Sequence, residues 1–142
     1  MAKISVFVDS NVWFSAFYKE GICSRLIRNL VKSPYKIVVS ELVLEEIIRN
    51  IKQKIPDALS MVIEYLDKIK LTVVKNPKPT RVEQCQDFAN TKDLPILISA
   101  IDYKCHFFIT GNLKDFRVEK IKDKTGLKIL KPSGFIKLIK SS

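Results

Sequence analysis

The chain has 142 residues, of which 46% are hydrophobic, and it carries a formal net charge of +10. That length fits one domain over residues 1–142 with a core that needs no disulfides, and the apolar content excludes a disordered chain. No apolar run approaches the roughly 18 residues of a membrane span, and the start of the chain lacks the pattern of a signal peptide. We therefore expect a cytoplasmic protein with no membrane partner, whose charge favours a polyanion such as nucleic acid.

Hydrophobic periodicity predicts alternating strands and helices in the first half of the chain. Residues 3–11 read Lys-Ile-Ser-Val-Phe-Val-Asp-Ser-Asn, a β-branched and aromatic run typical of a strand buried on both faces. This strand ends at Asp9, and the next two residues offer capping oxygens to a helix. We predict helices at residues 12–18, 22–32, 41–54 and 58–70, and further strands at residues 36–39 and 71–74.

The second half continues the alternation. Helices are predicted at residues 82–90 and 96–103, the latter with Asp93 as N-cap and Pro95 in its first turn. A strand at 107–110, a short helix at 113–116, a strand at 128–130 and a helix at 132–139 complete the chain. This order predicts the α/β class: a three-layer α/β/α sandwich with a mainly parallel central sheet.

Four acidic residues stand at the ends of the predicted elements. Asp9 follows the first strand, and Asp115 follows the fourth. Glu46 lies on the helix after the second strand, and Asp93 begins a helix. Because the carboxyl ends of parallel strands share one edge, all four carboxylates are expected to converge there.

The other residue types offer no alternative catalytic group, so we assign the chemistry to these acids. His106 is the only histidine and opens a strand, so we interpret it as structural. The chain has no glycine-rich phosphate loop and no serine in an elbow motif. Clustered carboxylates repel one another unless a cation lies between them, and oxygen ligands suit Mg²⁺ or Mn²⁺. Such an ion can activate a water molecule to attack a phosphodiester bond.

The same residues resemble the signatures of the PIN-domain ribonucleases. The resemblance rests on four segments in the family's order, at residues 8–12, 40–47, 93–97 and 110–116. It implies a PIN-like fold and a metal-dependent endoribonuclease, often the toxin of a toxin–antitoxin pair (VapC-like), with RNA and an antitoxin protein as partners. By position it implies that Asp9, Glu46, Asp93 and Asp115 are catalytic, and that Asp9, Asp93 and Asp115 bind the Mg²⁺ or Mn²⁺ ion.

The resemblance also implies supporting residues, with one departure. Ser10 and Asn11 would steady the acids by hydrogen bonds, as would Thr110. Many members have an aspartate where this chain has Asn112. An asparagine can ligate through its carbonyl but removes a charge, so the number of metals, one or two, stays open. Glu46 is chosen over Glu45 as the site residue because it lies six residues after Ser40.

Two other functions remain open at this stage. The chain faintly resembles the first motifs of haloacid-dehalogenase-type phosphohydrolases in two segments, Asp9-Ser10-Asn11 and Thr110-Gly111-Asn112. Those enzymes usually have an aspartate in place of Asn11. The other alternative is a non-catalytic RNA-binding or partner-binding module on the same fold.

Two groups of residues are candidates for binding partners. Arg25 and Arg28 are predicted to hold RNA phosphates, although solvation alone would explain them. Trp13, Phe14 and Phe17 could serve a homodimer or an inhibitory partner, and core packing would explain them equally well.

Overall fold

A single five-stranded sheet organises the protein. The computed structural model describes residues 3–140. The strands are β1 (Ser5–Val8), β2 (Lys36–Ser40), β3 (Leu71–Val74), β4 (Phe107–Ile109) and β5 (Lys128–Leu130). Their order in the sheet is β3-β2-β1-β4-β5, and every neighbouring pair is parallel. The predicted α/β architecture with a parallel sheet is confirmed.

The strand order creates a switch point beside β1. From β1 the chain moves through β2 to one edge, and it then crosses to the other side of β1 to form β4 and β5. In open α/β sheets, the crevice at the carboxyl ends of the strands at such a point is where ligands bind. The residues after β1 and β4 therefore occupy the favoured place for a site.

Eight α-helices cover the sheet in the described part of the chain. They are α1 (Ser10–Tyr18), α2 (Ile22–Lys32), α3 (Glu41–Lys54), α4 (Leu59–Lys68), α5 (Pro79–Gln84), α6 (Leu94–Asp102), α7 (Val118–Thr125) and α8 (Pro132–Lys140). Helix α1 packs on α2 and on α3, α3 packs on α4, and α8 packs on α2. Helix α6 packs on β2 and α7 on β5, and right-handed crossovers put these on the other face.

The core is apolar and aromatic on both faces of the central strands. Phe7 of β1 stacks on Phe108 of β4, with ring centroids 5.3 Å apart. Trp13 is fully buried, and its indole donates a hydrogen bond to the Val8 carbonyl oxygen at 3.1 Å. In the described residues, no helix combines the length and apolar character needed to cross a bilayer.

The structure differs from the predicted elements in three places. The helix predicted at residues 82–90 is shorter and earlier, because α5 ends at Gln84 and the chain then turns to form a β-bridge between Ala89 and Phe116. Helix α7 was missed because Ile121 is its only buried residue, so its apolar stripe is too thin to mark it. The short helix predicted at residues 113–116 is a 3₁₀ turn, Leu113–Asp115.

Candidate active site at the carboxyl edge of the sheet

Asp9 stands at the centre of a hydrogen-bonded group after β1. Its side chain is 5% exposed and accepts three hydrogen bonds. The donors are the Ser10 backbone N–H at 2.8 Å, the Thr110 hydroxyl at 2.9 Å and the Asn11 amide at 3.2 Å. Asp9 is also the N-cap of α1, so it serves as both a helix cap and the buried acid of this edge.

The pKa of Asp9 is raised from 3.8 to about 6. Burial is the main cause, and the negative charges of Glu46 and Asp93 add to it. The hydrogen bonds from Thr110 and Ser10 act in the opposite direction but do not offset the burial. The ionised form of Asp9 is therefore costly in this position without a positive charge nearby.

Glu46 reaches this group from α3. Ser40 caps that helix by accepting a hydrogen bond from the Val43 backbone N–H at 3.2 Å, so α3 begins directly at the end of β2. One turn later, Glu46 accepts a hydrogen bond from the Ser10 hydroxyl at 2.6 Å. Glu45 instead lines an outer groove with Leu44, Ile48, Arg49 and Lys52. Of the two neighbouring glutamates, Glu46 therefore faces Asp9.

Asp93 carries an unsatisfied oxygen at the start of α6. It occupies the N-cap position, but its side chain makes no capping hydrogen bond, so that part of the prediction was wrong. Its Oδ2 atom is buried and has no hydrogen-bond partner. Burial raises the pKa of Asp93, and the negative charges of Asp115 and Glu46 raise it further, against the opposing effect of Lys92. An unpaired carboxylate oxygen among other acids is suited to a cation.

Asn90, which the sequence prediction missed, connects Asp93 to Asp115. Its side-chain amide donates to Asp115 Oδ1 at 3.1 Å, and its backbone N–H donates to the Asp115 carbonyl oxygen at 3.2 Å. The Asp93 backbone N–H donates to the Asn90 carbonyl oxygen at 2.9 Å. No local pattern marks Asn90, because its side chain acts on a residue 25 positions further along the chain.

Asn11 and Thr110 join the ends of β1 and β4. The Asn11 amide donates to the Thr110 hydroxyl oxygen at 3.3 Å, and Asn11 Oδ1 accepts from the Gly111 backbone N–H at 2.9 Å. A Cβ atom at Gly111 would lie 3.3 Å from Asn11 Oδ1, so the position leaves little room for a side chain. Asn112 is exposed and donates its backbone N–H to Thr110 at 3.2 Å, and its side chain does not cap the following turn.

The donor chemistry of this edge fits a hard divalent cation. Among the described residues, no group of three or more His, Cys, Asp or Glu side chains is positioned to hold a metal ion. The unpartnered oxygen of Asp93 nevertheless lies buried among acids whose charges act on one another. Carboxylate oxygens are the ligands that Mg²⁺ and Mn²⁺ prefer. We conclude that the residues present suit such an ion.

Three further residues from the sequence analysis lie outside the hydrogen-bonded group around Asp9. Arg28 on α2 forms a bidentate ion pair with Glu20, with distances of 2.6 and 3.2 Å, and Arg25 lies on the same helix. His106 lies at the amino edge of the sheet, where its Nδ1 accepts a hydrogen bond from the Ser5 backbone N–H at 3.0 Å. Its interpretation as structural agrees with this contact.

Comparison with known proteins gives one family and one shared fold. A family model described as PIN domain matches residues 6–106, which include Asp9, Glu46 and Asp93 but not Asp115. No curated protein sequence matches the chain significantly. The structure is similar to one chain of the crystal structure of VapBC2 from Rickettsia felis bound to a DNA fragment from their promoter, with a TM-score of 0.65. The two chains are 16% identical, and the similarity covers 90% of this chain and 98% of the other.

Proposed function

The chain belongs to the PIN-domain family, and on this premise we propose that it is an endoribonuclease that depends on Mg²⁺ or Mn²⁺. The observation that carries the proposal is the buried, unpartnered oxygen of Asp93 among mutually repelling acids. Family members are generally nucleases, and an acidic edge of this kind suits phosphodiester hydrolysis.

Asp9, Asp93 and Asp115 are proposed to hold the ion, which would supply an activated water and neutralise charge on the phosphate. Asp9 is fixed for this role by the three hydrogen bonds from Ser10, Asn11 and Thr110. These donors stabilise the carboxylate form and hold its orientation, so little reorganisation is needed when substrate binds.

Glu46 is proposed to orient the attacking water. Its Oε1 atom accepts the hydrogen bond from the Ser10 hydroxyl, and its other carboxylate oxygen, Oε2, accepts none from the described residues. The charge of Glu46 acts on both Asp9 and Asp93. A carboxylate held at one oxygen and open at the other can accept a proton from water at a defined place. Asn112 lies exposed beside this group and offers a neutral carbonyl oxygen in place of a second charge.

The decisive assay is cleavage of unstructured RNA by the purified protein. We expect cleavage with Mg²⁺ or Mn²⁺, none with EDTA, and none by Asp9→Asn, which keeps the shape of the side chain but removes its charge. Equal cleavage by the unmodified protein and Asp9→Asn would overturn the nuclease proposal. Binding of RNA without any cleavage would instead favour the non-catalytic module.

We further propose that the protein acts as a toxin restrained by an antitoxin protein. This is supported by the shared fold with a chain of VapBC2 and by a groove of about 210 Å³ between α1, α2 and α4. The groove is lined by apolar side chains that include Phe17, Ile27 and Met61, the last of which is 57% exposed. Expression of the chain alone should slow growth of a bacterial host, and Asp9→Asn should relieve that effect.

A further inference from the structure

The positive charge of the chain is concentrated toward its C-terminal end. Residues 114–140 contain nine lysines and arginines against three acids, whereas residues 1–113 contain sixteen against twelve. The shorter segment therefore contributes more than half of the net charge of +10. This segment begins at the acidic edge of the sheet and includes β5 with helices α7 and α8.

Four cations, here called the edge cations, lie in the segments that carry the acids or end at the same edge of the sheet. They are Lys92, Lys114, Arg117 and Lys131, and all four are exposed. The first two are chain neighbours of Asp93 and Asp115. Arg117 donates its backbone N–H to the Phe88 carbonyl oxygen at 2.9 Å, which holds it against the segment that leads to Asp93.

Lys131 lies at the carboxyl end of β5, the edge strand beside β4. It follows Leu130, the last residue of β5, whose carbonyl oxygen accepts a hydrogen bond from the Thr110 backbone N–H at 3.0 Å. Thr110 in turn donates its hydroxyl to Asp9 at 2.9 Å. Lys131 is therefore one residue beyond a hydrogen-bonded connection from β5 through Thr110 to Asp9, on a strand separate from the segments that carry Lys92 and Lys114.

The edge cations form no ion pair with any described residue. Ion pairs in the described residues engage Arg28, Lys68, Arg81 and Lys120, each with a neighbouring acid, and none of them involves an edge cation. Arg28, by contrast, already shares both guanidinium nitrogens with Glu20. An exposed cation that forms no ion pair remains available to an external anion.

We propose that the edge cations bind the backbone phosphates on both sides of the scissile phosphate and so determine the path of a single RNA strand across the site. The inference rests on the proposed ribonuclease function. The acids at the centre repel the flanking phosphates, so a strand can cross them only if cations compensate on either side. Contacts of this kind position the strand without distinguishing its sequence.

The test compares two variants of identical net charge, each made in the Asp9→Asn background so that RNA stays intact. In the first, all four edge cations are replaced by Gln. In the second, the same replacement is made at four exposed lysines of the opposite edge, Lys3, Lys70, Lys104 and Lys128. Binding of a fluorescein-labelled oligouridylate with Mg²⁺ present is followed by fluorescence anisotropy over a range of salt concentrations, and thermal unfolding verifies that both variants fold.

Loss of the edge cations should weaken binding at least tenfold and lower the slope of log affinity against log salt by about 0.7 for each phosphate contact removed. The opposite-edge variant should bind nearly as the parent does. Equal weakening in both variants would overturn the proposal, because it would show attraction by net charge alone. Unchanged binding in the edge-cation variant would overturn it as well, although cleavage by the unmodified protein would still support the nuclease. An unmodified protein that does not cleave RNA, together with an Asp9→Asn parent that does not bind it, would contradict the proposed function itself.

Discussion

The two ends of the same sheet differ in how completely their polar groups are satisfied. At the amino edge, His106 and Ser5 exchange hydrogen bonds between strands, through Ser5 N–H to the imidazole and His106 N–H to the Ser5 carbonyl oxygen. At the carboxyl edge, Asp9 is buried with a raised pKa, and Asp93 has an oxygen without a partner. Polar groups with hydrogen-bond partners stabilise this fold, whereas those without partners mark the place where a ligand is expected.

The largest expected effect is on the pH dependence of stability. The pKa of Asp9 is about 6 in the folded protein against an ordinary 3.8, so the native state holds this proton where the unfolded chain has lost it. Stability in EDTA should therefore fall as pH rises from about 4 to about 6, by about 3 kcal/mol from this group. Denaturant unfolding of the unmodified protein and Asp9→Asn measures the difference. Parallel pH profiles for the two proteins would contradict the expectation.

The second effect separates two neighbouring glutamates. Glu46→Gln should reduce RNA cleavage about 30-fold, because the amide keeps the contact with Ser10 but cannot accept a proton from water. Glu45→Gln is the matched control, since it lies on the same helix and faces the outer groove. Initial rates with saturating Mn²⁺ compare the two. An equally large loss of cleavage in Glu45→Gln would mean that the rate depends on the charge of α3 and not on the position of Glu46 in the site.

The third effect concerns the positioning of Asp115. Asn90→Ala removes the hydrogen-bond donor to Asp115 Oδ1. The cleavage rate should fall about tenfold, equivalent to about 1.4 kcal/mol of activation free energy, mainly because the variant needs more Mn²⁺ to reach its half-maximal rate. Thr91→Ala, at the exposed neighbouring residue, is the control. Titrations with Mn²⁺ distinguish this role from a purely structural one. An unchanged metal requirement in Asn90→Ala would show that Asn90 does not orient the acid.

The fourth effect is expected at the amino edge of the sheet. His106→Ala should destabilise the protein by about 1 kcal/mol, because the Ser5 N–H loses its side-chain acceptor. Cleavage per folded molecule should not change, since His106 lies at the end of β4 away from the acids. Denaturant unfolding and RNA cleavage measure the two quantities. A loss of cleavage beyond the loss of folded protein would break the contrast between the two edges.

The smallest effect is expected at Asn112. Asn112→Asp adds a carboxylate next to Thr110 and should raise cleavage about threefold at limiting Mn²⁺, because the added charge attracts the cation. A capping explanation is weakened because the Asn112 side chain does not cap the following turn. Asn112→Ala serves as the control. Equal rates for Asn112→Asp and the unmodified protein would show that the position contributes no ligand.

Most of the fold could be predicted because its signals are local. The five strands are short apolar runs, and most helices carry a clear apolar stripe, so their places follow from neighbouring residues. Helix α7 was missed because only Ile121 is buried. The segment around Ala89 was wrong because its bridge to Phe116, 27 residues later, outweighs its helical pattern. In both places the deciding contacts are distant in sequence.

Sequence patterns were enough to predict the parallel α/β sheet, the four acids at element ends and the excess of positive charge. Which groups meet depends on how the elements pack. That packing turned Glu46 and not Glu45 toward Asp9, left Asp93 without a capping bond, brought Asn90 to Asp115 and set the Leu130 carbonyl oxygen against the Thr110 N–H. The physical reason is that periodicity records which face of an element is buried, whereas hydrogen bonds and charge interactions between elements depend on the packing of residues far apart in the chain.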